Sequence, residues 1–258
     1  MVTPTDIVLL AGGGLLAGVL AGFLGIGGGV LMVPLLIALG LNVDQATATS
    51  LLAILITASV GSFQNWRLGH LKAQPVLLLG FPAVLTVILG TAVGGWLPEA
   101  VRRGAFGLLL LINLYLSGLK RRAARQSESA MTQRPGLARL MTGGTAGFMA
   151  GLFGVGGGVV MVPLQMLLLG APIKTAVRTS LGVIVITAAV ACVYNATQGD
   201  VVTAAGVLLG LGGLLGVQFS TRFLPRLSDR VVSRLFQALL IVLAIYMFWQ
   251  SWQAAQSL

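Results

Sequence analysis

The chain has 258 residues, 57% of them hydrophobic and 9% charged, with a mean hydropathy of +0.98. Soluble domains carry about 25% charged residues, so this composition excludes a soluble enzyme and marks a polytopic membrane protein. The net charge of +10 does not signal nucleic acid, because the sixteen Lys and Arg sit in short connections between apolar runs, where they act as topology signals.

The first apolar segment, Ile7–Leu24, has no Lys or Arg before it and no evident cleavage point, so it reads as a membrane segment rather than a cleaved signal. It leads into "GFLGIGGGVLMVPLL" (Gly22–Leu36), where five glycines and a proline interrupt the apolar run. Three apolar helices follow, at approximately Ala46–Asn65, Pro75–Trp96 and Gly104–Leu119. The stretch "KRRAARQSESAMTQRPGLAR" (Lys120–Arg139) is the one long polar segment and reads as a linker. A second broken segment, "GLFGVGGGVVMVPLQ" (Gly151–Gln165), agrees with the first at ten of fifteen positions, and three more helices follow at approximately Ala176–Asn195, Val201–Phe223 and Leu235–Trp252. The runs are continuous and about twice the length of a barrel strand, which favours helices.

The likeness between the halves continues at an offset of 129 and then 130 residues: Gly40 pairs with Gly170, Thr49-Ser50 with Thr179-Ser180, Asn65 with Asn195, and Phe106 with Phe236. The expected organisation is a first transmembrane repeat over 1–120, a basic cytoplasmic linker over 121–138, and a second repeat over 139–258. Charge decides how the broken segments cross. A single crossing by each makes the repeats parallel and splits the Lys and Arg eight to eight. A hairpin in each inverts the repeats and puts fourteen inside, leaving only Arg102 and Arg103 outside. The predicted fold is therefore an all-α polytopic membrane protein of two inverted repeats, each a glycine-tipped helical hairpin plus three transmembrane helices. The second limb of the first hairpin, Val30–Gly40, is about 16 Å long at 1.5 Å per residue, which brings its tip near the midplane.

Irregular backbone at that depth needs partners from protein or a polar cavity, and two such tips meeting imply a polar cavity. The tip glycines, Gly25, Gly27, Gly28 and Gly29 with Gly154, Gly156, Gly157 and Gly158, lead into half-helices whose first amides lack carbonyl partners and carry the positive dipole end. A small oxyanion is the natural guest; close helix packing is the alternative use of such glycines. Thr49, Ser50, Thr179 and Ser180 offer hydroxyl donors at matched positions, and Asn65 and Asn195 offer amides. Gln165, Asn113 and Gln218 have no polar counterpart in the other copy and are weaker candidates for selectivity. Lys174 and Arg178 read as inner-face charges. Cys192 and His70 are single and far apart, the six acids fall at segment ends or in loops, and no catalytic motif is present. Neither a metal nor another cofactor is expected.

The paired GxGGG blocks, the Thr-Ser after each and the duplicated chain resemble the sulfite exporter TauE/SafE family, also called the 4-toluene sulfonate uptake permease family, over essentially the whole sequence. That resemblance implies a bacterial inner-membrane transporter whose partners are the lipid bilayer and a small sulfur-containing anion: sulfite, thiosulfate, sulfoacetate or an organosulfonate. The reading from a different class is a membrane-embedded assembly or interaction component with a dry interior, in which the glycine tips touch only other helices.

Overall fold

The computed structural model describes residues 4–123 and 135–256. The first half contains α1 (Pro4–Leu24), α2 (Gly29–Ala38), α3 (Val43–Arg67), α4 (Ala73–Trp96) and α5 (Glu99–Ala123). The second contains α6 (Pro135–Phe153), α7 (Gly158–Leu168), α8 (Ile173–Gln198), α9 (Thr203–Phe223), a 3-10 turn at Leu224–Arg226, and α10 (Asp229–Gln256). There is no strand among the described residues. Among the described residues five helices, α1, α3, α4, α8 and α9, are long and apolar enough to cross a membrane. Helices α5 and α6 both extend into the stretch read as a linker, whose remainder, 124–134, lies outside the described residues.

Local chemistry sets the ends of the central helices. The Asn42 side chain accepts the Gln45 N–H at 2.8 Å and caps α3, whose first turn holds Asp44 and last turn Arg67, both favourable to the helix dipole. Helix α8 stops at Gly199, whose φ of 81° suits a residue without a Cβ.

Small residues govern the packing. Gly14 of α1 lies against the Leu209 carbonyl of α9, Gly18 against Gly213, and Gly22 against Ser220. Gly143, Gly147 and Gly151 of α6 lie against Leu79, Ala83 and Val87 of α4 in the same way. In both rows the numbers rise together, so α1 runs parallel to α9 and α6 parallel to α4. The spacing of four puts one glycine per turn at the seam and lets the backbones approach closely. Helix α3 also runs parallel to α9, with Leu52 at Gly206, Ile56 at Gly210 and Thr57 at Gly213; α8 runs parallel to α4, with Val76 at Gly182 and Ile186 at Gly80. Each half thus docks its first helix on the fourth helix of the other, and α3 and α8 occupy the middle. Outward, α4 exposes Leu77, Phe81, Leu85 and Leu89, and α9 exposes Leu211, Leu215 and Phe219, apolar stripes suited to lipid.

The broken segments have unequal limbs. Helix α1 has 21 residues and reaches the level of Ser220, near the end of α9, whereas α2 has only 10. Helix α2 lies back along α1, with Gly28 near the Ala17 carbonyl and Gly13 against Leu35. The second half repeats this with limbs of 19 and 11 residues and Gly157 against Ala146 and Ala150. The loop between the limbs does the returning: Gly25 lies beside Val177, early in α8, while Gly27 lies between Ile54 and Ile184, at the middle of α3 and α8.

A side chain at Gly18 or Gly147 has to displace backbone. Leucine at either position is expected to cost about 1–3 kcal/mol from overpacking, read as a lower melting temperature of the purified protein. Gly12→Ala, which adds a methyl in open space, should leave that temperature unchanged.

Candidate functional site

The two glycine loops adopt the same backbone at matched positions, with φ of 69°, 74° and 84° at Gly25, Gly27 and Gly28 and of 67°, 77° and 72° at Gly154, Gly156 and Gly157. This left-handed region is disfavoured for residues with a Cβ. Gly28 and Gly157 then start α2 and α7 with no side-chain cap. The first acceptor inside each helix is the Gly28 or Gly157 carbonyl, taken by the amides of Leu31 and Met32 or of Val160 and Met161. The amides of Gly29, Val30, Gly158 and Val159 precede any helical partner, so two positive dipole ends converge.

The loops touch one another rather than facing across a cavity. A Cβ on Gly29 would lie 2.8 Å from Val155 Cα and 2.9 Å from the Gly154 oxygen, and one on Gly158 would lie 2.7 Å from Ile26 Cα and collide with the Gly25 carbonyl. Ile54 and Ile184 each contact both Gly27 and Gly156. The expectation of an open polar space between the tips thus meets a close-packed junction, because glycines that admit a ligand also admit another backbone.

The serines hold this junction. Ser50 of α3 donates its hydroxyl to the Gly154 carbonyl at 2.8 Å, and Ser180 of α8 donates to the Gly25 carbonyl at 2.7 Å, so each half clasps the other half's tip. Ser50 also lies 2.7 Å from the Thr47 carbonyl. The matched threonines differ: Thr49 Oγ1 accepts the Val202 N–H at 2.9 Å, whereas the Thr179 hydroxyl makes no hydrogen bond to described protein groups. Asn65 and Asn195 donate to Gly61 and Ala191 within their own helices. They lie fifteen residues beyond the serines, about 22 Å along a helix, and are not brought to the tips.

Two cavities approach the junction from opposite ends of the bundle. One, of about 320 Å³, lies between α4, α6, α7 and α8 and contains Arg139, Gln165 and Thr179. The other, of about 390 Å³, contains Thr47, Thr91, Arg102, Tyr194, Asn195 and Asp200. Neither is lined by a tip glycine, yet Thr47 touches Gly154 and Thr179 adjoins the clasping Ser180.

An ion pair stands at each end. Asp44 at the start of α3 meets Arg102 at the start of α5 at 2.8 Å, and Lys174 at the start of α8 meets Asp229 at the start of α10 at 3.6 Å. Asp44 and Lys174 are matched positions, so the bridge recurs with its polarity exchanged. Arg102, read from sequence as an outer loop charge, is only 5% exposed and also donates to the Gly94 carbonyl at 3.1 Å. The signal available in sequence was its apolar counterpart, Val232. At the Lys174 end, burial and then the Arg178 guanidinium hold the His70 imidazole below its usual range, which favours its neutral form. No cluster of His, Cys, Asp and Glu suited to a metal is found among the described residues.

Helical spans, lipid-facing stripes and buried irregular loops define a polytopic helical membrane protein built from two like halves. The family model for Sulfite exporter TauE/SafE matches residues 10–247, and the chain belongs to that family. It is similar to a "Probable membrane transporter protein" of Xylella fastidiosa, 29% identical over 97% of this chain and 98% of that one. It is also similar to "Probable membrane transporter protein YjnA" of Bacillus subtilis, 29% identical over 83% of this chain and 90% of the relative. No solved structure matches.

Ser50→Ala and Ser180→Ala each leave a buried carbonyl without its donor and should each cost about 1–3 kcal/mol, read by thermal melting; an unchanged melting temperature in either variant would contradict the clasp. Asp44→Asn, which strips the counter-charge from a buried cation, should destabilise more than Asp229→Asn, whose solvated pair is worth less than about 1 kcal/mol.

Proposed function

We propose that the chain is a secondary transporter of a small sulfur-containing oxyanion, sulfite, thiosulfate, sulfoacetate or an organosulfonate, working by alternating access between two inverted repeats. The return of α2 along α1, and of α7 along α6, supports a hairpin in each half. Helices α3 and α4, joined by five residues, run antiparallel; α8 runs parallel to α4, so α3 and its counterpart α8 run oppositely. That is the relation of inverted repeats. The charges agree: Arg67, Lys72, Arg139, Lys174, Arg178, Arg222, Arg226, Arg230 and Arg234 gather at one end of the bundle and Arg102 and Arg103 at the other. The richer end is cytoplasmic by the positive-inside rule, in keeping with a basic cytoplasmic linker and a bacterial inner membrane.

The observation that carries the reading is the central junction, where two uncapped helix starts are pressed together between a cavity from each end. In this arrangement the path is occluded. Parting the tips on one side exposes the amides of Gly29 and Val30, or of Gly158 and Val159, to an anion arriving beside Thr47 or Thr179. The α-helix dipoles favour negative charge there, and the clasping serines and tip glycines complete the binding region. The names of the relatives and of the family point the same way. Direct contact between the tips is also what a dry assembly component requires; the cavities beside both ends of the junction, each with polar side chains in its wall, favour transport.

Proteoliposomes loaded with labelled sulfite or an organosulfonate test this. The wild type should carry the anion, while folded Gly28→Leu and Gly157→Leu proteins should lose at least about tenfold in flux, the equivalent of 1.4 kcal/mol. Normal flux through either variant sinks the tip site. A cysteine introduced at Gln45 should label from outside and one at Thr175 only from inside; labelling of both from one side rules out inversion.

A further inference from the structure

The duplication has left the two halves unequal at one place, the cavity of about 320 Å³ at the arginine-rich end. In the second half its wall carries Arg139 from α6, Gln165 from α7 and Thr179 from α8. At the matched positions the first half has Leu10, Leu36 and Thr49. Leu10 and Leu36 are buried in the apolar core, and the Thr49 hydroxyl is occupied by the Val202 amide. One half has thus kept an apolar, closed version, and the other carries a cation, an amide and an unengaged hydroxyl.

These polar groups are buried at a cost that packing alone does not explain. Gln165 is 3% exposed and Thr179 5% exposed. The Gln165 amide nitrogen has a long bond, 3.3 Å, to the Ala176 carbonyl, and the Thr179 hydroxyl opens on the cavity without a partner among the described residues. Polar side chains at such depth in a membrane protein are expensive, and they ordinarily face a ligand or a water-filled path. Among the described residues no acidic side chain lines the space, and Arg139 forms no ion pair. A guanidinium with free donors, beside a hydroxyl, selects an oxyanion head. Of the remaining wall, Thr175 adds one further hydroxyl, and Pro75, Leu79, Leu168 and Leu169 make a mainly apolar surface. A fully hydrated inorganic anion wastes that surface; an anion with a short hydrocarbon body covers it.

We propose that this cavity is a binding site for a small organic monoanion. The sulfonate or carboxylate head lies on Arg139 and Thr179, Gln165 lies beside it, and a body of a few carbons lies against Leu79, Leu168 and Leu169. The site exists in the second half only and is reached from the cytoplasmic end, so it makes the two access states chemically unlike. This rests on the reading that the chain carries anions, and it narrows that reading toward substrates with an apolar part.

The test is calorimetric titration of the full chain in detergent with propane-1-sulfonate, butyrate, sulfite and sulfate, alongside flux in proteoliposomes. Propane-1-sulfonate should bind at least about tenfold more tightly than sulfate, with butyrate between them. Arg139→Gln and Thr179→Val should each weaken propane-1-sulfonate by about tenfold or more, roughly one hydrogen bond to a charged group at 1.4 kcal/mol per decade. Thr179→Ser should restore binding, and Lys72→Gln, a charge removed from the same face outside the cavity, should leave it unchanged. Equal affinity for sulfate, wild-type affinity in both cavity variants, or no binding of propane-1-sulfonate to folded protein overturns the proposal. Binding that depends on Arg139 without flux refutes transport and leaves the site standing. Flux of propane-1-sulfonate that is indifferent to Arg139 and Thr179 refutes the site and leaves transport standing.

Discussion

Everything in the middle of this molecule depends on two backbone carbonyls having a donor. The glycine loops carry peptide groups into the buried centre of a bundle, where an unpaired carbonyl costs about 1–3 kcal/mol. Each half solves the problem for the other: Ser50 reaches the Gly154 carbonyl and Ser180 the Gly25 carbonyl. Both bonds cross from one half of the chain to the other. That dependence explains why the halves interleave instead of sitting side by side. For Ser50 to reach Gly154, α6 must run past α3 and lodge on α4; the mirror requirement lodges α1 on α9. The glycine rows at Gly14, Gly18 and Gly22, and at Gly143, Gly147 and Gly151, are what let those helices come close enough.

The same bonds redefine the hydroxyls. Thr-Ser pairs read from sequence as four equivalent donors, because the letters repeat at an offset of 130 residues. In three dimensions the serines are bound to carbonyls, Thr49 is an acceptor for an amide, and only Thr179 is left facing a cavity. A repeat in sequence conveys the shared frame and says little about how each copy has since been used. The departures from the repeat are more telling, since Leu10 against Arg139, Leu36 against Gln165 and Val232 against Arg102 mark the places where the two ends of the bundle differ.

Much of the architecture was legible because membranes impose coarse rules. Helix positions followed from the length of apolar runs, and the glycine loops from a pattern repeated at ten of fifteen positions. What hydropathy does not encode is depth within a segment. The 21 residues of α1 and the 10 of α2 are both apolar throughout, yet the first reaches nearly the far end of α9 and the second only to the middle. Nor does composition distinguish a loop charge from a buried one. Arg102 sits at a segment end like Arg103, and its burial depends on Asp44, 58 residues earlier, which no local pattern ties to it.

The exchanged polarity of the two ion pairs follows from one conflict. A duplicated bundle tends to keep the contact between the starts of its third and fifth helices, and in both halves a salt bridge fills it. If the repeats are inverted, the two copies of that contact face opposite sides of the membrane, and free cations are tolerated on only one of them. On the basic end the third helix begins with a half-buried Lys174, which meets Asp229 and the Pro225 carbonyl. On the other end the same position carries Asp44, so the cation must come from the fifth helix. Arg102 meets that need by being buried against the Gly94 carbonyl and Asp44 at once, where it is a paired structural charge and not an exposed one. A short bridge on a buried guanidinium at one end and a longer, more exposed one at the other means that the two ends of the bundle are not held equally, even though the chain that builds them is a repeat.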